Sequence, residues 1–393
     1  MKNATVLISG ASVAGPALAY WLGRCGFAPT LVEIAPRLRD GGYAVDFRGP
    51  TNLAVLERMG VLDDLRDVQT GGCAMRFVDE TGRQLLHLPP EFTGGDIEVL
   101  RSDLSRVLYE HSHDRAEYVF GDSIAGLTET PDGIEVEFEH GAPRTFDLVI
   151  GADGMHSGVR RLAFGPESEF VRHLGYYVAG WEVPNHLGLV GESRMHNVPG
   201  KVAGVAHDHR DPKKAGTTFL FASEELAYDR RDPEQQKKLV ADAFVGVGWE
   251  APVLIEELWD APDLYFDSIS RVDLPSWSRG RVALVGDAAC GATVGGMGTG
   301  TAIVGAYVLA GELAAADGDH REAFARYEHI VRPSAQRCQK GGDRTGKFLA
   351  PRTVLGMRAR NRLLGTPFLL DLMLKEGRKV SSTVDLPDYR FEA

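Results

Sequence analysis

Three short motifs, far apart in a chain of 393 residues, carry the residue types that grip a phosphate-bearing ligand. The first is Gly10-Ala-Ser12-Val-Ala14-Gly15, with Glu33 downstream. It follows G-x-G-x-x-G, with Ser12 in place of the second glycine. Such a loop needs a tight turn at Gly10, close backbone approach at Ser12 and close helix–strand packing at Gly15. Ser12 is small, and its hydroxyl can bond a phosphate. The helix that begins near Ala14 points free N–H groups and a partial positive charge at a pyrophosphate. Glu33 ends the next strand, where a carboxylate accepts hydrogen bonds from ribose hydroxyls.

The second motif, Asp153-Gly-Met-His-Ser-Gly-Val-Arg160, follows a strand expected over Asp147–Ile150. It places a carboxylate at the carboxyl end of a strand, where ligands bind in parallel sheets. Ser157 and Arg160 follow at helix-start spacing. The residues alone also allow a capped helix, with Asp153 as cap and Arg160 in a surface ion pair. The third motif, Gly286-Asp287-Ala-Ala289, follows strand Val282–Val285 and precedes Gly295, Gly296, Gly298, Thr299 and Gly300.

The elements around these motifs alternate as in a doubly wound domain. Thr5–Ile8, Ala14–Cys25 and Pro29–Glu33 read as strand, helix and strand. Thr51–Met59 and Leu100–His111 have helical spacing, and Met75–Val78 with Gln84–Leu88 reads as a hairpin. Ile134–Glu139 and Phe146–Ile150 read as strands. From about residue 171 to 266 the texture changes to short alternating segments: Tyr176–Val183, Gly191–His196, Val202–Asp208 and Thr217–Ala222. These predict an antiparallel sheet, followed by a helix over Asp232–Val245. Arg281–Val285 returns as a strand, Gly300–Ala316 is a long apolar helix, and Arg344–Lys379 reads as one or two helices.

Composition narrows the function. A net charge of −12 argues against a nucleic-acid partner, which would want a basic face. Residues 4–23 are uncharged and follow Lys2, as in a signal peptide or membrane helix. The internal order of strand, glycine turn and helix reads instead as a nucleotide site, and no membrane partner is expected. Cys25, Cys73, Cys290 and Cys338 are scattered, with no pair at metal-ligand spacing, and read as reduced thiols of a cytoplasmic protein. His111 with His113, and His207 with His209 around Asp208, read as solvated rather than ligating, so no metal is expected. A G-x-S-x-G nucleophile elbow is absent from the sequence.

In this order the three motifs resemble the single-component FAD-dependent aromatic hydroxylases, the para-hydroxybenzoate hydroxylase-like flavoprotein monooxygenases. By length and layout the tetracycline-inactivating and antibiotic-tailoring members are nearest, since they too have a C-terminal helix and lack an added thioredoxin-like domain. The resemblance implies an α/β fold. A Rossmann-like FAD-binding domain (1–74, 98–170 and 267–340) is interrupted by an antiparallel-sheet substrate domain (75–97 and 171–266), and a C-terminal helical segment covers 341–393. It implies an oxidoreductase in which NADPH or NADH transiently reduces FAD and oxygen forms a flavin C4a-hydroperoxide. One oxygen atom then enters an aromatic or polycyclic, polyketide- or antibiotic-like substrate.

The same resemblance assigns roles. Asp153 touches the ribose or pyrophosphate region, and Arg160 helps orient the nicotinamide cofactor's phosphates. Asp287 bonds the ribityl chain, and the helix starting near Gly298 points its N-terminus at the flavin's pyrimidine end. Arg101, in Leu-Arg-Ser-Asp-Leu, matches a flavin-contacting arginine. Arg48 lies in a loop that approaches the flavin ring; it steers flavin, substrate or hydroperoxide, or else pairs with Asp46 or Glu57. Two departures stand out: Cys290 occupies a place where many members have His, and no proline lies between Asp287 and Gly298.

Tyr177, Trp181, Met195, Phe219 and Phe221 alternate along the sheet strands as candidate substrate contacts, and are equally good core residues. His196 and His207 are general-base candidates by type alone. Two other readings stand beside the monooxygenase. A non-catalytic flavin-binding accessory protein is one; Baeyer–Villiger or epoxidation chemistry on the same scaffold is the other. A flavin halogenase would carry Trp-x-Trp, and none of Trp21, Trp181, Trp249, Trp259 and Trp277 is so spaced. Monomer and homodimer both remain open.

Overall fold

The computed structural model describes residues 4–38, 43–262, 264–292, 298–380, 384–389 and 391. Two sheets organise the chain. The first has six strands in the order Ser278–Arg279, Val282–Leu284, Leu148–Gly151, Thr5–Ser9, Ala28–Glu33 and Glu117–Phe120. All its neighbours pair in parallel except the first two. Val6, Leu7 and Ile8 are fully buried, as expected of a central strand covered on both faces. Helix Ala14–Arg24 is buried along Ala14–Leu22, so the uncharged N-terminal stretch belongs to the core. Among the described residues, Gly298–Ala315 is long and apolar enough to cross a membrane, but most of it is buried inside the protein.

The strand expected over Phe146–Ile150 is two strands. Arg144–Phe146 pairs antiparallel with Gly133–Phe138, and Leu148–Gly151 pairs in parallel with Thr5–Ser9. The break falls at Asp147, whose carboxylate accepts hydrogen bonds from the Thr5 N–H and hydroxyl, both at 2.8 Å. That side-chain clamp is where the chain leaves a small three-stranded antiparallel sheet (Arg144–Phe146, Gly133–Phe138 and Ile124–Thr130) for the six-stranded one.

The second sheet runs Tyr265–Val272, Val171–Gly180, Lys214–Ala222, Lys201–His207, Glu192–Val198, Ala74–Val78 and Gln84–Leu88, with Glu182–Pro184 pairing onto Lys214–Ala222. It is antiparallel apart from one join: Ala74–Val78 lies parallel to Glu192–Val198, with Met195 opposite Phe77. A parallel join is what lets a segment from early in the chain enter a sheet built mostly from later residues.

Side chains alternate across this sheet. Tyr177, Ala179, Trp181, Phe219 and Phe221 face one side, packed under helices Pro233–Ala243 and Ala251–Asp260. Phe77, Tyr176, Val178, Met195 and Leu220 face the other, against Ala350 and Leu364 of the C-terminal segment. The helix Ala251–Asp260 and the 23-residue helix His320–Gly342 were not marked by the sequence pattern. The last described residues return to the first sheet's helices: the Phe391 ring lies 4.5 Å from Trp21, and the Tyr389 hydroxyl donates to Glu312 at 2.6 Å.

Candidate functional site

The three motifs meet because three neighbouring parallel strands end level. Ser9 pairs with Gly151, and Gly151 with Leu284. Gly10, Ala152–Asp153 and Gly286 therefore leave the same edge of the sheet side by side. The approach is tight. Gly10 has φ +104°, and a Cβ there would sit 2.6 Å from the Ala152 carbonyl oxygen; one on Gly286 would meet the Ala14 and Ala302 methyls at 3.1 and 3.3 Å. A Cβ on Gly15 would lie 1.9 Å from the Gly10 carbonyl oxygen. Backbone packing, more than φ, excludes a side chain at Gly15.

Polar groups fix the loop. Glu33 accepts from the Ala11 N–H at 2.8 Å and from the Ala35 N–H at 3.0 Å, which sets the carboxylate beside the glycine turn. Arg101 heads helix Arg101–Ser112 and donates from Nε and Nη2 to the Ser12 hydroxyl at 3.2 and 3.1 Å. Ser12 is thus tied to an arginine 89 positions later. The helix at Ala14 has no side-chain cap, so its first N–H groups are left to an anion.

In the second motif Ser157 is the cap: its hydroxyl accepts from the Arg160 N–H at 2.9 Å and donates to Asp153. Asp153 also accepts from the Val159 N–H at 3.1 Å and the Ser9 hydroxyl at 3.4 Å. Burial pushes its carboxyl up against the pull of these hydrogen bonds. The Asp287 carboxyl is also pushed up by burial, and Arg101 opposes the shift. Asp287 and Gly298 line one small cavity with Thr301 and Cys290. Thr299 is half-buried in the first turn of the same helix, and Gly296 lies outside the described residues.

A cleft of about 390 Å³ runs along this edge, lined by Gly10, Ser12, Glu33, Arg101, Asp153 and Arg161 among others. Its lining mixes carboxylates suited to ribose hydroxyls with guanidinium groups suited to phosphates. The cradle of glycines, the uncapped helix and this lining fit a dinucleotide such as FAD.

Several expected residues lie elsewhere. Arg160 is fully buried, so phosphates of a transient nicotinamide cofactor do not reach it. Its Nη1 donates to the Ala288 carbonyl at 3.0 Å and its Nη2 to the Met155 carbonyl at 2.5 Å. Burial pulls its pKa down. Arg160 fastens the second motif to the third, and its neighbour Arg161 is the one that lines the cleft.

Tyr177, Trp181, Phe219 and Phe221 are core on the helix-covered face, not substrate contacts: Trp181 Nε1 donates to the Leu254 carbonyl at 3.2 Å, and the Phe219 and Phe244 ring centroids lie 4.5 Å apart at a tilt. The core reading of these four is the one the structure bears out. Met195 alone of the five faces the other side. His196 is buried beside Trp249, with Nδ1 3.1 Å from the Val78 carbonyl. His207 sits at a strand end against His209 and Cys73. Arg48 donates to Asp46, the pairing that competed with a flavin contact, and to the Phe92 carbonyl at 3.2 Å. Phe92 belongs to the cluster behind Met195, so Arg48 joins the glycine-motif half to that face of the sheet.

Two residues were missed. Tyr43 reaches across to the second sheet: its hydroxyl donates to the Thr217 carbonyl at 3.4 Å, and a Cβ on Gly180 would fall 1.5 Å from it. Tyr265 meets Tyr43 edge to face at 5.5 Å and feels the charges of Arg101 and Asp287. Both rings keep an exposed part, and desolvation of the hydroxyl ends at the joint raises both phenols above their usual range. No sequence pattern marks these two; only the inter-sheet joint does.

Edge, cradle and cleft define an FAD-binding protein of the Rossmann-like class. The family described as "FAD binding domain" matches residues 3–175. A flavin-dependent monooxygenase of Legionella longbeachae is 38% identical over 347 residues, covering 87% of this chain and 88% of that protein. An uncharacterized protein of Mycobacterium tuberculosis is 46% identical over 330 residues, covering 82% and 88%. The crystal structure of tetracycline destructase Tet(51) superposes with a TM-score of 0.85 at 34% identity, covering 99% of this chain and 100% of that one. The chain belongs to the flavin-dependent monooxygenases of the FAD binding domain family.

Proposed function

We propose that the protein takes electrons from NADPH or NADH and inserts one atom of oxygen into a planar, polycyclic aromatic compound of the tetracycline or polyketide kind. The observation that carries this is the joint where Asp287, Arg101, Tyr43 and Tyr265 come together between the two sheets. A site there is bounded by the cofactor edge on one side and by the Met195-bearing sheet on the other. We read residues 1–74, 98–170 and 267–340 as the cofactor unit, 75–97 and 171–266 as the substrate unit and 341–393 as a helical cover.

FAD, when bound, supplies the redox chemistry with oxygen. The chain's part is to hold and to shield. Gly10, Ser12 and the Ala14 helix end take the pyrophosphate, Glu33 the adenosine ribose, and Asp287 the ribityl chain. Tyr43 and Tyr265, edge to face at the joint with Asp287's charge reaching Tyr265, offer partly exposed ring surface suited to an aromatic substrate. Antibiotic inactivation or tailoring in the cytoplasm is the setting that the similarity to the tetracycline destructase favours.

The test is oxygen uptake by the FAD-loaded protein with NADPH and NADH, across tetracyclines and polycyclic phenols. A compound that accelerates reductant oxidation and emerges heavier by one oxygen atom bears the proposal out. A flavin that no reductant reduces, whatever compound is present, would favour an accessory flavin-binding protein. A product carrying its new oxygen in a ring-expanded ester or an epoxide would assign the Baeyer–Villiger or epoxidation reading.

A further inference from the structure

A second cluster of chemistry-bearing side chains lies outside the cofactor cleft. Cys73 immediately precedes strand Ala74–Val78, His207 ends strand Lys201–His207, and His209 lies in the turn that follows. Their ligand atoms lie within 4.8 Å of one another. Cys73 Sγ is 3.3 Å from His209 Nε2, and His207 Nε2 is 3.2 Å from His209 Nδ1. The two contacts use opposite nitrogens of the His209 ring, so a single ion would take one of them; one ligand atom from each residue within 4.8 Å is a spacing that a small shift closes onto one tetrahedral zinc ion.

The surroundings hold these groups in place. Asp208 Oδ1 accepts from the Arg210 and Asp211 N–H groups at 2.7 and 3.0 Å, which closes the turn. Arg210 then anchors the turn, donating to the Ser102 hydroxyl at 3.1 Å and pairing with Asp103 at 2.5 Å. On the other side the Ala74 N–H donates to the Gly191 carbonyl at 3.2 Å. Glu98 accepts from the Gly72 N–H at 2.9 Å, and its charge reaches both Cys73 and His209. Ligands on anchored strand ends, with a carboxylate behind them, are what a metal site requires.

We propose that Cys73, His207 and His209 bind one thiophilic d-block cation, Zn2+ in the first instance, with a fourth position open to water. One sulfur and two imidazole nitrogens suit zinc and exclude magnesium or calcium as the preferred ion. Binding exchanges the thiol proton for the metal: the S–H bond breaks, an S–Zn bond forms and the proton goes to solvent. An occupied site clamps the start of one strand to the turn that Arg210 ties to helix Arg101–Ser112. Zinc occupancy therefore bears on the helix that presents Arg101 to Ser12.

The test is direct. The full-length, FAD-loaded protein is stripped with a chelator and titrated with Co2+, then with Zn2+ by calorimetry. One Co2+ per chain, with tetrahedral ligand-field bands to the red of the flavin and a thiolate charge-transfer band, is expected, and Zn2+ should displace it. Cys73→Ser and His209→Ala should each weaken binding by at least about 10–100-fold, while flavin content and circular dichroism report folding. Binding that survives both substitutions, or no stoichiometric binding to the unmodified protein, overturns the proposal. If one variant fails to fold, the other still decides.

Discussion

Replacing Arg160 with methionine separates a structural arginine from a phosphate ligand. The guanidinium is fully buried and donates to the Ala288 carbonyl at 3.0 Å and the Met155 carbonyl at 2.5 Å. Methionine keeps much of the apolar stem's volume, so the cavity left is small. The two carbonyls lose their charged donors, at about 1–3 kcal/mol each. Asp153 and Glu167 lose the cation whose charge reaches them. Breaking a buried charge network costs about 3–5 kcal/mol in total, which raises the unfolding constant by about a hundredfold to several thousandfold. Ala288 follows Asp287, so FAD affinity should fall as well. Urea denaturation of the apoprotein and the FAD-loaded protein reads the first effect, and flavin fluorescence titration reads the second. R160M stability within about 0.5 kcal/mol of the unmodified protein, together with a sharply raised KM for the reductant, would show a solvent-facing phosphate ligand instead.

Three further outcomes are expected. Glu33→Gln turns an amide donor toward the N–H of Ala11 or of Ala35; losing one charge-assisted hydrogen bond of about 1.5–3 kcal/mol should weaken FAD roughly 10–100-fold, and unchanged affinity in a titration would remove Glu33 from the cofactor site. His156 lies between Asp267 at 3.1 Å and Glu167 at 3.1 Å. Burial pulls its pKa down, but the hydrogen bonds to Asp267 and Glu167 outweigh it and push the ring from 6.5 up to about 9. A raised histidine contributes its full stability below its unfolded pKa and loses it as pH rises through the folded one. The unfolding free energy should therefore fall by about 1–3 kcal/mol between neutral pH and pH values above about 9, after allowance for solvent screening. His156→Gln should flatten that slope, and an equally steep profile in the variant would acquit this histidine. Trp181→Ala should destabilise the protein by about 3–5 kcal/mol and leave substrate KM unmoved; the reverse pattern would return Trp181 to the substrate site.

Much of the cofactor half is legible in the residues. Gly10, Gly15 and Gly286 mark places where backbones approach too closely for a side chain, and the need for glycine is local. Glu33 is legible because one strand, one turn and one helix span a nearly fixed distance, so the carboxylate returns to the loop it follows. Parallel pairing then brings the other two motifs to the same edge.

The second sheet is different because a strand's alternation names two faces without saying which is covered by what. Tyr177, Trp181, Phe219 and Phe221 lie under two helices, one of which the pattern did not mark, and Met195 lies on the opposite face. Arg160 carries a charge and stands at helix-start spacing, yet Ala288, 128 positions away, determines that it is buried. Tyr43 and Tyr265 belong to no motif and meet only because the sheets do. Cys73 and His209, 136 positions apart, become neighbours through a parallel join between strands that are remote in the chain. The local sequence settles where a turn can be tight and where a helix can start. Which side chains then share a site depends on long-range strand pairing and face burial, whose free energies belong to pairs of segments and are written in neither segment alone.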